Sequence, residues 1–522
     1  MRITNNMMLR NSANNITGNK WNVNDMNNQM SSQKKIQRPS DDPVIAIRAL
    51  RLRSTLSEIN QYYENNIPDA EAWLEVTETA LKNMETLLDT IRTQCTYGAN
   101  DPLTAEDRDT ILTQLTKLRD QIYSEGNTDY AGRTIFTGYR TNHKLTFMED
   151  DPDARYEITQ RLSFADIEEH RYYSDKVSMP NTYDELSNPI SDPKRATYDR
   201  IRLSYGEIES ITGLDASGQP ATATNNKDEV RLSYSYTGGD GSIQTDGRLN
   251  VTVYETIDDW MADKNPIPPG EEAVFIKETG ELILGEDASS KLRNGRAQFE
   301  LDYTKTGFDK GELRPEYYHN CTDVTEPGNP IEYVKYDEDG NEIYQDINYI
   351  VSANQKLTVN TTASDVFDAS IARDVDEMIE AIRFAIDAND KVAKLEEMQK
   401  MAEYASDDAQ AKLEEWIVAA KKEADYANDN VQKLYNSYIG NCDKYLSNVN
   451  LALTDVGSKG DSLDVTKNRM ENQQSTVESL KSDNEDRDIS DIIIDYTAAY
   501  NAYQASLQAA AKINQNTLLN YI

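Results

Sequence analysis

Residues 44–91 read VIAIRALRLRSTLSEINQYYENNIPDAEAWLEVTETALKNMETLLDTI, and this stretch decides the fold. Two rows of residues recur in it at heptad spacing. One is Ala49, Leu56, Tyr63, Ala70, Thr77, Met84 and Ile91. The other is Leu52, Ile59, Asn66, Trp73, Ala80 and Leu87, with Leu74, Leu81 and Leu88 widening the stripe. A three-and-four spacing sustained this long is the mark of a helix built to lie along other helices. At about 1.5 Å per residue it is longer than a compact domain needs. Pro68 interrupts the run. It is expected to kink the helix or to begin a new one, because it has no amide hydrogen and its ring crowds the preceding turn.

Just upstream, Arg38-Pro39-Ser40-Asp41-Asp42-Pro43 sets acids before the helix and proline at its first turn. Both choices suit a helix N-terminus. Downstream, Tyr97-Gly98-Ala99-Asn100-Asp101-Pro102 predicts a turn, and Thr104-Ala105-Glu106-Asp107 caps a second helix. That helix carries Ile111, Leu115, Leu118 and Ile122 on one face and is expected to stop near Gly126.

The first forty residues differ in texture. Ten of the first thirty are Asn, and residues 1–38 carry six Lys or Arg against the single acid Asp25. The apolar residues, among them Ile3, Met7, Ile16, Trp21 and Met30, are too few to offset chain entropy alone. A helix is permitted here, provided a partner covers it. At the other end, Ile492, Tyr496, Ala499, Tyr503, Ser506, Ala510, Ile513 and Thr517 follow the same three-and-four spacing. Both ends place small or polar residues at seam positions. Such seams associate weakly in isolation, so they fit an assembly in which several copies cover each helix. An intramolecular bundle is the alternative reading.

Residues 138–360 hold short β-branched or alternating runs between Gly, Pro and Asn/Asp clusters. Examples are Arg231–Tyr236, Leu249–Tyr254, Ala273–Ile276 and Leu357–Val359. This predicts one or two antiparallel β domains. Helical periodicity returns near residue 371 with Val375, Ile379, Ile382 and Ile386. A second helix is predicted through Leu413, Ile417, Ala420, Ala424, Ala427, Val431, Leu434 and Tyr438. A third carries Leu463, Met470, Val477 and Leu480, and Ser482-Asp483-Asn484-Glu485-Asp486 then breaks the pattern. The fold class expected is α+β and multidomain: long terminal helices forming a coiled-coil rod, with a central β-rich domain projecting from it.

Composition excludes several functions. With 54 basic against 91 acidic residues the net charge is −37, the wrong sign for a phosphate backbone, so nucleic acid is not expected as a partner. No apolar run is long enough to span a bilayer, so no membrane insertion is expected. The start, Met1 to Leu9, lacks the features of a cleaved secretory signal. Cys95, Cys321 and Cys442 are sparse and odd in number, and read as isolated thiols. The three histidines, His143, His170 and His319, lie at no ligand spacing, and no phosphate loop, dinucleotide fingerprint or nucleophile elbow is found. No catalytic residue, metal or cofactor is therefore expected, and the chain reads as non-enzymatic. The Asp337-Glu338-Asp339-Gly340-Asn341-Glu342 turn offers oxygens to Ca²⁺, but an acidic hairpin turn is the preferred reading.

The motifs at the two ends resemble the bacterial flagellin superfamily. They are Met1-Arg2-Ile3-Thr4, Met30-Ser31-Ser32-Gln33-Lys34-Lys35-Ile36, Arg38-Pro39-Ser40-Asp41-Asp42-Pro43 and Gly132-Arg133-Thr134-Ile135-Phe136-Thr137-Gly138-Tyr139. At the far end they are Leu480–Asp486 and Leu518-Leu519-Asn520-Tyr521-Ile522. Pro-Ser-Asp-Asp-Pro is similar to the hook–filament junction branch, whereas filament flagellins carry Asp-Asp-Ala-Ala-Gly there. The resemblance covers residues 1–140 and 460–522.

It implies a structural subunit exported without a cleaved signal through the flagellar type III apparatus, escorted by an export chaperone. It also implies a ring or layer of identical subunits between hook-associated protein 1 and flagellin, outside the cell. Residues 1–43 and 483–522 are then the terminal assembly helices, with Ile3, Met7, Ile16, Trp21, Met30, Ile492, Tyr496, Ala499, Tyr503, Ala510 and Ile513 as their contact positions. Residues 44–137 and 361–482 are the helical rod. It starts at Arg38 to Pro43, carries a seam of Leu52, Leu56, Ile59, Tyr63, Trp73, Met84, Leu87 and Ile91, and has an extra helical insert at about 392–440. Residues 138–360 are the surface-exposed β-rich domain. A filament flagellin, or a junction subunit with an added adhesin or glycan-binding β domain, are the alternatives.

Overall fold

The computed structural model describes residues 5–100, 104–180, 182–239, 241–263, 268, 270–338 and 340–515. The protein is α+β. Among these residues there are ten α-helices: α1 Asn5–Ser32, α2 Pro43–Asn60, α3 Ile67–Asn100, α4 Ala105–Ile122, α5 Ile257–Ala262, α6 Glu286–Asn294, α7 Ala363–Val366, α8 Ser370–Met398, α9 Asp407–Glu485 and α10 Ile489–Gln515. The chain divides into two compact units. The first comprises residues 1–71, 348–357 and 459–522; the second comprises 72–347 and 358–458.

In the first unit, α2 begins as its sequence dictates. Asp42 accepts hydrogen bonds from the amides of Val44 (2.9 Å) and Ile45 (3.2 Å), and Pro43 occupies the first turn, where no amide partner is needed. A π-helical turn at Gln61–Asn66 separates α2 from α3, so Pro68 falls in the first turn of a new helix. The turn inserts an extra residue into the apolar pattern. Beyond it Ala70, Thr77, Met84 and Ile91 of one row and Trp73 and Ala80 of the other are buried, with Ile67, Leu74, Leu81 and Leu88 buried beside them, while Leu87 is only half-buried. A two-stranded hairpin, Asn348–Ser352 with Gln355–Thr358, lies beside the π turn, where Asn66 donates to the Ile350 carbonyl at 2.7 Å.

In the second unit a 12-stranded sheet forms the β-rich part. Its spatial order is Ile331–Tyr333, Asn320–Asp323, Asp151–Ser163, Gln298–Phe308, Ile208–Leu214, Glu229–Thr237, Ile243–Tyr254, Glu272–Ile276, Glu281–Leu284, Lys194–Arg202 and Ile167–Ser174, with Pro220–Ala223 paired beside Ile208–Leu214. One continuous sheet thus stands where one or two domains were expected. Its pairing is not wholly antiparallel, since Glu272–Ile276 runs parallel to Ile243–Tyr254. Ile158, Ile211, Val253, Phe275, Leu282 and Leu301 fill its main core.

Two helix predictions are corrected. The turn expected at Tyr97–Pro102 does not begin at Tyr97, because α3 runs on to Asn100. Gly98 is buried within it, and its missing side chain makes room for the ring of Tyr435 on α9. We expect Gly98→Ala to force that ring aside and cost about 1–3 kcal/mol in chemical denaturation. Unchanged stability would show that the ring relaxes freely. The two helices expected at 413–438 and 463–480 are a single helix, α9, of 79 residues. Tyr435, Cys442, Val449, Val456, Leu463 and Met470 keep one buried heptad row through it, so Gly440, Gly457 and Gly460 do not break it. The segment at about 392–440 is the end of α8, a turn holding Tyr404, and the start of α9. Leu395, Tyr404, Leu413, Trp416 and Ile417 share a core there with Val177 and Leu186.

Candidate functional site: the paired chain ends

Within the first unit, α1 and α10 lie side by side and run antiparallel. Asn19 Nδ2 reaches the Ala502 carbonyl (3.4 Å), and Gln29 Oε1 accepts from Arg487 Nη1 (2.8 Å). Ile492 is fully buried, and Tyr496, Ala499, Tyr503, Ala510 and Ile513 form a half-buried stripe below it. Across from them α1 presents Leu9, Ile16, Val23, Met26 and Met30, again only half-buried. Met7 and Trp21 face outward, at 52% and 68% exposure, and Ile3 lies outside the described residues. The outer faces are apolar too: Met8 on α1, Val44, Ile47 and Leu50 on α2, and Ile493, Ile494, Tyr500 and Leu507 on α10 are all exposed.

A clamp ties the foot of this pair to α2 and α9. Lys34 bridges to Asp486 and, at 3.4 Å, to Glu485. Arg53 holds Glu485 through two bonds, Nε at 2.7 Å and Nη2 at 2.5 Å. The backbone joins in: Lys35 N donates to Glu485 O (2.8 Å) and Arg487 N to Gln33 O (3.0 Å). Asp41 accepts from the amides of Gln37 and Arg38, at 3.1 and 2.8 Å, and so fixes the Arg38–Pro43 corner. Pro39 and Pro43 stiffen the same corner.

Of the seam residues, Leu56 and Ile59 are buried in the first unit, with Leu52 and Tyr63 half-buried; Trp73, Met84 and Ile91 are buried in the second. Sequence reasoning missed the clamp because its partners are separated by most of the chain. The only local sign was the break at Ser482–Asp486.

The guanidinium of Arg53 and the ammonium of Lys34 hold the Glu485 carboxyl below its ordinary range, and Lys34 does the same for Asp486. A carboxylate with a lowered folded-state pKa stabilises fully above its unfolded pKa. That contribution is lost as pH falls through the folded value. The clamp is therefore expected to hold at neutral pH and to open below about pH 4. Amide exchange of α1 and α10, followed by mass spectrometry from pH 7 to 3, checks this. Glu485→Gln should show at neutral pH the exchange that the unaltered chain shows in acid. Equal protection in both chains at pH 7 would refute it.

Among the described residues, no group of three or more His, Cys, Asp or Glu side chains is placed to hold a metal ion, and no helix is long and apolar enough to cross a membrane.

Residues 3–141 match the family model described as the bacterial flagellin N-terminal helical region. That segment contains α1 to α4 and the Arg38–Pro43 corner. More particularly, the chain is 33% identical over 143 residues to flagellar hook-associated protein 3 of Salmonella typhimurium LT2, covering 27% of this chain and 44% of that one. The same protein of Escherichia coli K12 is 32% identical over the same shares. A flagellin of Clostridium tyrobutyricum is 28% identical over 24% of this chain and 34% of its own. The chain thus spans less than half the length of the curated relatives it matches. Among solved structures, flagellar hook associated protein-3 of Legionella pneumophila aligns over 82% of this chain and 96% of its own, at 12% identity and a TM-score of 0.30. FlgL of Xanthomonas campestris aligns over 83% and 99%, at 12% identity and a TM-score of 0.29.

Proposed function

We propose that this chain is a structural, non-catalytic subunit of the bacterial flagellum that joins the hook to the flagellin filament. The observation that carries the proposal is the geometry of the chain ends: α1 and α10 bury only half of their seam and leave apolar outer faces in solvent. Exposed apolar stripes of this kind on long helices await further helices. Other copies of the chain, in a ring or layer, are the natural cover. The likeness of the N-terminal quarter to hook-associated protein 3 supports the junction over other places in the flagellum. The weaker likeness to a flagellin makes a filament subunit the second reading.

On the junction reading the partners are hook-associated protein 1 on one side, flagellin on the other, and an export chaperone before secretion through the flagellar type III route. Residues 1–43 and 483–522 act as the assembly helices, 44–137 and 361–482 as the rod, and 138–360 as the outward domain. Deleting the coding sequence tests the proposal. The strain should keep its hooks and shed unassembled flagellin into the medium. Filaments of normal length in that strain would overturn it. Gold-labelled antibody should mark one dot at the hook end, whereas label along the whole filament would assign the chain to the filament.

A further inference from the structure

The second unit contains a pair of thiols that the function above does not use. Cys95 sits on α3 at the heptad position that continues Leu74, Leu81 and Leu88, and Cys442 sits in the buried α9 row between Tyr435 and Val449. The two helices run antiparallel here. Gln432 Nε2 donates to the Ala99 carbonyl (3.3 Å), Gly98 faces the Tyr435 ring, and Arg92 Nε pairs with Asp443 Oδ1 (2.7 Å). That register sets Cys95 across the seam from Cys442. Met378 Sδ lies 3.4 Å from the Cys95 sulfur, and Ile91 and Val375 are buried in the same helical core. Both cysteines are free and almost fully covered, while the third, Cys321, lies apart in the core of the sheet.

We propose that Cys95 and Cys442 form a disulfide when the chain folds in an oxidising medium, stapling α3 to α9. Two facing core positions on packed helices put the two side chains on the same side of the seam, as such a bond needs. The bond would close a loop containing the whole sheet, the case in which a cross-link most restricts the unfolded chain. The neighbouring Cys442 thiol and burial push the Cys95 thiol well up, so in the folded protein it stays protonated and inert. Oxidation therefore belongs to folding, before the seam closes. With oxidised glutathione as oxidant, one cysteine thiolate attacks a glutathione sulfur, releasing one glutathione thiol and leaving a mixed disulfide. The second cysteine then attacks the mixed disulfide at the protein sulfur and releases a second glutathione thiol. Two protein thiols are oxidised and one glutathione disulfide is reduced.

The inference does not rest on the flagellar reading. Its test is oxidative refolding of the full chain from guanidinium with glutathione disulfide, followed by thiol titration in denaturant. Titratable thiols should fall from three per chain to one. Trypsin digestion after alkylation should yield a reducible pair of peptides, residues 93–108 joined to 434–444, with Cys321 alkylated. The melting temperature of the oxidised chain should exceed that of the reduced chain, and Cys442→Ala should abolish the difference. Three titratable thiols after oxidative refolding, or links only through Cys321, would overturn the proposal.

Discussion

Replacing Arg200 by alanine should cost about 3–5 kcal/mol, because it leaves the buried Glu281 carboxylate without its cation and takes one from Glu377. Arg200 lies on strand Lys194–Arg202 of the second unit, with its side chain 3% exposed. Its guanidinium pairs with Glu168 (2.9 Å), Glu281 (2.7 Å) and Glu377 of α8 (2.7 Å). Arg202 beside it pairs with Glu377 (3.0 Å) and Asp374, while His170 Nδ1 meets Glu377 at 2.7 Å. Tyr172 donates to Glu281 (2.8 Å), Tyr445 to Asp374 (2.8 Å), and Tyr438 to Glu377. The network docks the edge of the sheet on α8 and α9.

Charges this far from water need partners to offset the cost of burial. Arg200 is thus central to Glu377, whose carboxyl is held well below its ordinary range against the cost of burial by Arg200, His170 and Arg202. Urea denaturation followed through Trp260, which packs edge-on against Tyr172 at 5.4 Å, reads the loss. The double replacement Arg200→Met with Glu281→Gln should recover part of it, since it removes both charges of one pair. A loss under about 1 kcal/mol for Arg200→Ala would mean that water enters the network and screens it.

Trp73→Ala should also cost about 3–5 kcal/mol, here through a cavity. Trp73 on α3 is fully buried. The Tyr130 ring meets its edge with centroids 6.2 Å apart, and the Arg133 guanidinium lies 5.1 Å from its centroid. Tyr130 and Arg133 flank the tight turn Ala131-Gly132, both at positive φ, that joins strands Asp129–Tyr130 and Arg133–Thr134. One side chain therefore anchors this hairpin to the helix. Calorimetry should show the loss, and protease cleavage after Arg133 should accelerate with it. Trp73→Phe, which keeps an aromatic surface for Tyr130, should lose much less. Equal losses for alanine and phenylalanine would point to the indole edge rather than to ring volume.

These two sites differ in how far the sequence announced them. Trp73 sits in a heptad row that could be read directly, because helical burial repeats along the chain with a fixed period. Arg200 is one of 54 basic residues, and its neighbours along the chain do not single it out. Its partners come from another strand, from Glu281 and from α8, and nothing local distinguishes a buried arginine from a solvated one. The Asp42 cap, the Thr104–Asp107 capping box and the break after Glu485 are set by neighbours within a few residues, and so were legible. The continuity of α9 was not, because glycine lowers helix propensity wherever it stands, while packing on the Tyr435–Met470 row outweighs it.

The paired ends show the same division. The three-and-four spacing of Ile492, Tyr496, Ala499, Tyr503, Ala510 and Ile513 settled by itself that α10 is a helix with one favoured face. It also set how weak that face is, since the seam is built from small and polar side chains. Which helix lies against it was decided only in three dimensions. Lys34 and Arg53 converge on Glu485 and Asp486 across nearly the full length of the chain. The π turn before Pro68, the order of the sheet and the meeting of Cys95 with Cys442 were fixed in the same way. Periodicity is a local property and survives in the one-dimensional string. The choice of partner depends on the free energy of whole surfaces closing together, and exists only once the chain has folded.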